Sequence, residues 1–306
     1  DRAPRALAHG AGPLAFVSPG PVARLARVSE AWEFAHRAAA AAGVELRPLT
    51  SLEDAEGIAR VLSATWGDEQ GLPRELLRAL AESGNVPYGA YAGEDLIGYV
   101  LGWAGVDPNE GLHVHSHMLA AIPDRRHRGV GFALKLAQRA QALDQDIGFV
   151  RWTFDPLVAR NAYFNLHKLG AVVDRFERNF YGEMTDALNR GDRSDRFVVR
   201  WDLHRPPGPW TIDVSGDPTV VRRTADRAPE RVGDLAGDAA IVEIPADHEE
   251  LRASDRELSR AWRDAVADAA EACLARGLVG ACFDRERSAY VFARSYGRAE
   301  AREPEP

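Results

Sequence analysis

One stretch decides the fold: residues 112–131 read LHVHSHMLAAIPDRRHRGVG. Its first part is apolar or alternates with histidine, which predicts a strand over 112–122. A proline ends that strand, and a basic turn then leads to Gly129 and Gly131, which predict a helix over 129–142. The first N–H groups of a helix have no partner within it, and the helix dipole places partial positive charge there. The stretch therefore favours a bound diphosphate.

The turn has a second interpretation, which the spacing leaves open. Gly129 and Gly131 remove side chains that would hold phosphate oxygens away from the backbone, while Arg126 and Arg128 add charged donors. The same residues also suit a tight strand-to-helix connection whose arginines are solvated. The lysine of a P-loop and the third glycine of a dinucleotide site are missing. Nucleoside triphosphates and nicotinamide cofactors therefore fit poorly.

The composition limits the class of protein. The chain has 306 residues, of which 45% are hydrophobic and 27% charged, as in folded globular proteins. A net charge of −8 argues against nucleic acid as a partner, because binding a phosphate polymer needs a basic face. The sequence has no long uncharged apolar run and no secretion signal, so we expect no membrane partner and a cytoplasmic location. Cys273 and Cys282 are too few for a disulfide framework or a structural zinc site.

The remaining elements place the 112–131 stretch in a mixed sheet. Hydrophobic periodicity and turn residues predict a hairpin of strands 88–92 and 96–103, and later strands at 149–154, 172–181 and 197–203. The same signals predict helices over 21–42, 52–66, 73–82 and 159–169. A hairpin flanked by helical crossovers indicates an α+β fold, with a mixed, mainly antiparallel sheet flanked by helices.

Three regions follow from the breaks in this pattern. Residues 1–43 form an N-terminal arm and helix, and residues 44–205 form the main domain. A proline-rich break then separates residues 206–306, a C-terminal subdomain that extends the fold as an α/β unit. Its predicted elements are strands 240–244, 278–283 and 289–293 and a helix over 247–275. We detect no internal sequence repeat.

Several blocks of the sequence resemble one family. The pattern Arg126-x-x-Gly129-x-Gly131 after a strand resembles the acyl-coenzyme-A signature of the GNAT superfamily of N-acetyltransferases. The resemblance covers about residues 44–205. Further blocks resemble a poorly characterised branch of predicted acetyltransferases, and they lie at 152–157, 161–165, 168–170, 179–182, 244–247 and 262–263. The resemblance implies a GNAT-like fold and a cofactor, but no particular acceptor.

The resemblance implies that acetyl-CoA or another acyl-CoA is the co-substrate, with no metal. Its pantetheine arm would lie between strands 112–122 and 149–154, which splay apart, and its thioester carbonyl would approach a backbone N–H near 118–120. The diphosphate would lie on the amides of the basic turn. The expected cofactor-binding residues are Leu119, Ala121, Arg126, His127, Arg128, Gly129, Val130, Gly131 and Asn161.

Acyl transfer to an amine needs a base near the thioester. His113, His115 and His117 alternate along one strand, so we expect them to share a face. Three imidazoles on one face also suggest zinc, but ligands along one straight strand diverge, so we expect no metal site. His117 is the hypothesised general base, and the alternative is a core histidine hydrogen-bonded to the structure.

The general acid is less defined. The resemblance implies a tyrosine four residues before Gly170, where this chain has Leu166. Tyr163, His167 or Tyr181 is a candidate replacement, although a thiolate also leaves tolerably near neutral pH without an acid. Asn165 is a further candidate catalytic residue. The candidate substrate-binding residues are His115, Trp152, Asp155 and Tyr181, and Asp155 alternatively caps the next helix.

The predicted function is that of an acyltransferase, which moves an acetyl or other short acyl group from coenzyme A to a small-molecule amine. Two alternatives stay open: an acyl-CoA decarboxylase on the same fold, and a non-catalytic acyl-CoA-binding protein. The expected partner is a small-molecule acceptor, and a homodimer also stays open.

Overall fold

The computed structural model describes residues 21–67, 72–123, 129–182, 192–214, 216–233 and 235–298. Arg126, His127 and Arg128, which the sequence assigns to the diphosphate, lie outside the described residues. Gly129, Val130 and Gly131 lie within them.

The first three helices begin and end close to the predicted positions. They are α1 (Pro21–Ala41), α2 (Leu52–Trp66) and α3 (Arg74–Glu82). Helix α2 starts with a capping box, because the Ser51 hydroxyl accepts from the Asp54 N–H and the Asp54 carboxylate accepts from the Ser51 N–H. The predicted helix start is confirmed.

The strands of the main domain alternate with these and two later helices. In chain order they are β1 (Glu45–Pro48), β2 (Tyr88–Ala92), β3 (Asp95–Asp107), β4 (Gly111–Ala121), α4 (Val130–Asp144), β5 (Phe149–Phe154), α5 (Ala159–Ala162), β6 (Val172–Glu177) and β7 (Arg196–Asp202). Helix α5 continues as a π-helical turn over Tyr163–Lys168, where the sequence predicts an ordinary helix. The predicted hairpin of β2 and β3 is confirmed.

The C-terminal part contains β8 (Trp210–Thr211), β9 (Thr219–Arg223), β10 (Pro229–Arg231), β11 (Ala239–Glu243), α6 (His248–Ser254), α7 (Arg256–Ala275), β12 (Val279–Asp284), β13 (Ala289–Ala293) and β14 (Gly297–Arg298). The single helix predicted over 247–275 is wrong in one respect. It divides at Asp255, whose carboxylate caps α7 by accepting from the Leu258 N–H.

One twelve-stranded sheet runs through the molecule, in the order β1-β2-β3-β4-β5-β7-β6-β12-β13-β11-β9-β10. Only β4–β5 and β9–β11 are parallel neighbours among its described strands. The predicted α+β class, with a mixed and mainly antiparallel sheet flanked by helices, is confirmed. We call β1–β7 the first half of the sheet and β9–β13 the second half.

The two halves meet where β6 pairs with β12, at Val173 and Gly280. A Cβ on Gly280 would lie 3.1 Å from the Val173 Cβ, so glycine permits the close approach of the strands. One hydrophobic core crosses this junction, since Phe197 of β7 packs against Tyr290 and Phe292 of β13. The C-terminal residues therefore extend the same sheet and the same core.

None of the helices in the described ranges combines the length and the apolar character that crossing a bilayer requires.

Candidate active site

A gap opens between the parallel strands β4 and β5. Their ladder joins Val114 to Val150 and His115 to Arg151, and no further pair follows within these two fully described strands. Both strands continue beyond it, β4 to Ala121 and β5 to Phe154. The two strands part after the ladder, as the resemblance implies.

A β-bulge lies in β4 at the start of the gap. The β3–β4 register pairs Leu101 with Met118 and Gly102 with Ser116, so His117 is the extra residue. A bulge leaves one residue unpaired and turns the strand locally. It also re-aims the backbone of β4 at the place where β5 departs.

The backbone of β4 beyond the bulge presents groups to the gap. The Ile122 N–H donates to the Ile97 carbonyl of β3. Because successive residues of a strand point their N–H and C=O groups to opposite sides, those of Ala121 and Leu119 point away from β3, toward the gap. Leu119 and Ala121 are two of the cofactor-binding residues named from the sequence.

The start of α4 lies at the mouth of this gap. Gly129 has φ 87° and no side-chain cap, so the first N–H groups of α4 have no intrahelical acceptor. A Cβ on Gly131 would lie 3.6 Å from Leu119 and 4.0 Å from Phe164, which places this glycine between β4 and the helix after β5. The helix dipole and the bare backbone together suit an anion at this position.

The opposite side of the sheet from α4 carries an aromatic cluster, which we call the open face. It consists of Trp103, His115 and His117, with ring centroids 4.8 Å apart for Trp103–His117 and 5.2 Å for Trp103–His115. His113 lies on the same face nearer the start of β4, stacked on Phe149. His115 and His117, with ring centroids 6.0 Å apart, share this face beside Trp103.

Both histidines of the open face are held neutral. Burial, with neighbouring His117, His113 and Lys135 adding to it, lowers the pKa of His115 to about 4. Burial also lowers the pKa of His117, the more exposed of the two. A neutral imidazole can accept a proton, which is what a general base must do. In the described part of the chain, no group of three His, Cys, Asp or Glu side chains is placed to hold a metal ion.

Two predicted catalytic residues are engaged elsewhere. Asn165 is 4% exposed, and its Oδ1 accepts from the Trp152 indole N–H at 3.2 Å. Tyr163 stacks on His167 with ring centroids 4.6 Å apart, and the Arg285 guanidinium lies over its ring. Asn161 lies half-buried in α5. These contacts place Asn165 and Trp152 in the core on the α4 side of β5, and Tyr163 beside the turn between β12 and β13.

Tyr181 lies beyond β6, on the same side as the open face. Its hydroxyl is 3.2 Å from the Thr153 hydroxyl of β5, and the Arg196 guanidinium lies over its ring. Because Tyr181 is half-exposed, its hydroxyl is accessible beside the end of β5.

Asp155 lies in a buried ionic network that the sequence did not predict. Its carboxylate accepts from the Leu157 N–H at 2.9 Å, within the turn before α5, and from Arg263 of α7 at 2.7 Å. The alternative role as a helix cap is wrong, because the N-cap of α5 is Val158, with no side-chain cap. Arg263 also donates to Asp192, just before β7. Burial would raise the pKa of Asp155, but Arg263 and the Leu157 N–H outweigh it and lower that pKa.

A second group that sequence reasoning missed is Lys135 of α4. It is 2% exposed, and its Nζ donates to the Ser116 hydroxyl at 2.8 Å and to the Gln138 side-chain oxygen at 3.1 Å. The sequence signal was a lysine in the middle of a mainly apolar helix, with Gln138 and Arg139 one turn later on the same face.

No protein-family model matches the chain, and no curated protein matches it. Solved structures that match include a protein of the GNAT family from Desulfovibrio desulfuricans, at 17% identity over 52% of this chain and 99% of that chain, with a TM-score of 0.40. The ribosomal-protein-S18-alanine N-acetyltransferase of Escherichia coli matches at 12% identity over 56% of this chain and 97% of that chain, with a TM-score of 0.42. Chaetomium thermophilum Naa20, in complex with a bisubstrate analogue, matches at 21% identity over 53% and 88% of the two chains, with a TM-score of 0.42. At these values the similarity carries no argument about activity.

Proposed function

We propose that this chain is an acyl-CoA-dependent N-acyltransferase of the GNAT type, which moves an acetyl or other short acyl group from coenzyme A to a small-molecule amine. The observation that carries the proposal is the gap between β4 and β5, with the glycine-opened start of α4 at its mouth. An extended pantetheine arm can lie along the gap-facing edge of β4, near Leu119, as an added strand would. The diphosphate of coenzyme A then lies against the first N–H groups of α4.

In the proposed reaction, the amine nitrogen attacks the thioester carbon and the carbonyl oxygen becomes an oxyanion. The backbone of Leu119 points toward the gap, so its N–H is a donor for that oxyanion. The C–N bond forms, and the C–S bond breaks with its electron pair on sulfur. Because a thiol has an ordinary pKa of about 8.5, the thiolate can leave and then take a proton from water.

His117 is the base in this proposal. It lies at the bulge where the gap begins, and burial keeps its pKa below the usual value, so that the ring is neutral near pH 7. It takes the proton that the amine loses on attack. Trp103 and His115 form an aromatic surface beside it, on the side from which the acceptor would enter.

Two measurements test the proposal. Calorimetry with acetyl-CoA measures binding, and release of free thiol with a panel of amines measures transfer. We expect His117→Ala to lower thiol release by about 100-fold, with unchanged acetyl-CoA affinity. His113→Ala is the matched control on the same strand, and we expect it to retain activity because His113 stacks on Phe149 away from the gap. Absence of acetyl-CoA binding by the wild type would exclude the proposed function.

A second candidate function is a non-catalytic acyl-CoA-binding protein. One observation favours it: Asn165 and Tyr163, both named as catalytic from the sequence, are engaged by Trp152 and His167. Tight acetyl-CoA binding with no thiol release from any amine would support this function instead.

A further inference from the structure

Lys135 is a buried amine for which the proposed reaction has no role. Its side chain comes from the middle of α4 and ends against the sheet, where Nζ lies 2.8 Å from the Ser116 hydroxyl and 3.7 Å from the centroid of the Trp152 ring. Ser116 belongs to β4 and Trp152 to β5. One nitrogen atom therefore touches both strands of the parallel pair.

The position of this bridge is specific. The last pair of the β4–β5 ladder is His115 with Arg151. Ser116 and Trp152 are the next residue on each strand, so the Lys135 Nζ lies where the strands begin to part. Ser116 also immediately precedes His117, the extra residue of the bulge. The bridge thus connects α4 to the backbone that turns toward the gap.

Stability by itself gives no reason for a lysine here. Among the described residues, both hydrogen-bond acceptors of Lys135 are neutral, and burial lowers its pKa well below the usual value. Burying an amine without a carboxylate is costly, and an apolar side chain of similar size commonly gives equal or better stability at such a site. The Lys135–Ser116 bond therefore points to a requirement for the geometry of β4.

We infer that Lys135 is a positioning residue, which acts through Ser116 and Trp152 to set the separation of β4 and β5 and the direction of the bulge backbone next to the thioester. The inference rests on the proposed function, since it assigns a role in acyl transfer from coenzyme A. It separates two tasks within one site. The start of α4 binds the diphosphate, and the Lys135 bridge aligns the reacting carbonyl.

The test uses the only two lysines of the chain, Lys135 and Lys168. Lys135→Met removes the bridge and keeps the length of the side chain, and Lys168→Met, at an exposed position, is the matched control. The readouts are acetyl-CoA affinity by calorimetry and basal hydrolysis of acetyl-CoA, which uses the same carbonyl geometry and needs no amine. We expect Lys135→Met to lower hydrolysis about 10-fold or more with affinity changed by less than about 3-fold, because small misplacements of reacting groups are costly in rate. Lys168→Met should match the wild type.

Ser116→Ala provides a second variant, which leaves Lys135 in place and removes only its hydroxyl partner. If the bridge acts through Ser116, this variant loses hydrolysis as Lys135→Met does, and the double variant loses no more than either single one. Independent, multiplying losses would overturn the inference.

Lysine side-chain NMR gives a readout that does not depend on turnover. Protein labelled with ¹³C at the lysine ε carbon should show two side-chain signals, which Lys168→Met assigns. We expect saturation with coenzyme A to shift the Lys135 signal and leave that of Lys168 in place. An unmoved Lys135 signal, or full hydrolysis in both Lys135→Met and Ser116→Ala, overturns this inference while the proposed function stands. Failure of the wild type to bind coenzyme A overturns both.

Discussion

Read outward from their junction, the first four strands of the two halves have the same connection order, β6-β7-β5-β4 on one side and β12-β13-β11-β9 on the other. The fifth strands differ, because β3 precedes β4 in the chain whereas β10 follows β9. Each half contains one parallel pair, β4–β5 or β9–β11, at the same place in the order. In each half, a helix follows the second strand of that pair. The two halves therefore share the connections of these strands, although the sequence has no detectable internal repeat.

The two halves differ in the chain segment that connects the two parallel strands. In the first half, α4 connects β4 to β5, so a helix start lies at the mouth of the gap. In the second half, the connection from β9 to β11 contains β10 and no helix within its described residues. Here the Glu243 carboxylate spans the pair, accepting from the Arg223 backbone N–H at 2.8 Å and from Arg287 at 2.9 Å.

The comparison separates topology from binding capacity. A parallel pair with two registered positions occurs twice, but β9 and β11 end within two residues of their last pair. Only β4 and β5 both continue for three or more residues beyond the ladder, toward the space that the start of α4 faces. In the second half, one carboxylate satisfies the backbone donor that a ligand would otherwise meet. We therefore expect one acyl-CoA site per chain, in the first half.

The largest expected effect concerns the contact that joins the halves. Arg263 of α7 is 3% exposed and binds Asp155 and Asp192 of the first half. Arg263→Met removes the guanidinium that binds both buried carboxylates, leaving only the longer contacts of Arg196 to Asp155 at 3.9 Å and of Arg252 to Asp192 at 3.8 Å. We expect it to lower the free energy of unfolding by about 3–5 kcal/mol. Arg160→Met is the control, since it breaks an exposed ion pair with Glu249 across the same junction and should cost less than about 1 kcal/mol. Urea denaturation measures the free energy of unfolding of both variants. Equal losses would contradict the view that the buried Arg263 contact, and not the exposed Arg160 pair, holds the two halves together.

The second half also carries a pH dependence. Burial lowers the pKa of His248 to about 4, and its Nε2 lies 2.9 Å from the Ser259 hydroxyl. Between about pH 6.5 and 4 the unfolded chain takes up a proton that the folded chain does not, so stability falls as the pH falls through this range. We expect a loss on the order of 2 kcal/mol over that interval.

Denaturation at several pH values measures this loss. His248→Gln should reduce the slope and leave the part that comes from His115, whose pKa burial also lowers to about 4. The exposed His36 offers a control, His36→Gln, which should retain the slope of the wild type. An unchanged slope in His248→Gln would contradict the assignment to His248.

The third prediction concerns the helix start, which only the first half has. Gly131→Glu puts a carboxylate where the diphosphate is proposed to bind, and we expect acetyl-CoA affinity to fall about 30-fold, or about 2 kcal/mol. The fold should tolerate the change, because the nearest atom to an added Cβ is 3.6 Å away, on Leu119. Gly131→Ala is the matched control and should stay within about 3-fold of the wild type. Calorimetry measures the acetyl-CoA affinity of both variants. Unchanged affinity in Gly131→Glu would mean that the diphosphate binds elsewhere.

The smallest effect is expected at Glu243, whose carboxylate bridges the parallel pair of the second half. Glu243→Gln keeps the shape of the side chain but weakens its bonds to the Arg223 N–H and to Arg287. We expect a loss of about 1 kcal/mol in unfolding free energy and no change in acetyl-CoA affinity. Denaturation measures the loss of stability, and calorimetry measures the affinity for acetyl-CoA. A stoichiometry other than one acetyl-CoA per chain would contradict a single site in the first half.

Much of the first half could be predicted because its signals are local. The Ser51 capping box, the β2–β3 hairpin and the β4–α4 turn each lie within a few consecutive residues, and the structure has an element at each place. Strands β9 and β10 were missed because they are short: β9 has only two apolar residues, Val220 and Val221, and β10 has three residues, two of them charged. The sequence offered Asp155 as a cap for the next helix, which is wrong, because the N-cap of α5 is Val158 with no side-chain cap. The ion pair of Asp155 with Arg263, 108 residues away, had no local signal.

Local signals are enough to predict the class of fold, the order of most elements and the glycine-opened helix after β4, because periodicity, caps and turn residues act between near neighbours. Three features are visible only in the folded chain: the C-terminal strands continue the same sheet, His117 is the extra residue of a bulge, and Lys135 reaches both Ser116 and Trp152. These features depend on register and on side chains brought together from distant segments. No local sequence pattern predicts such contacts, because the free energy that stabilises them comes from packing across the whole molecule.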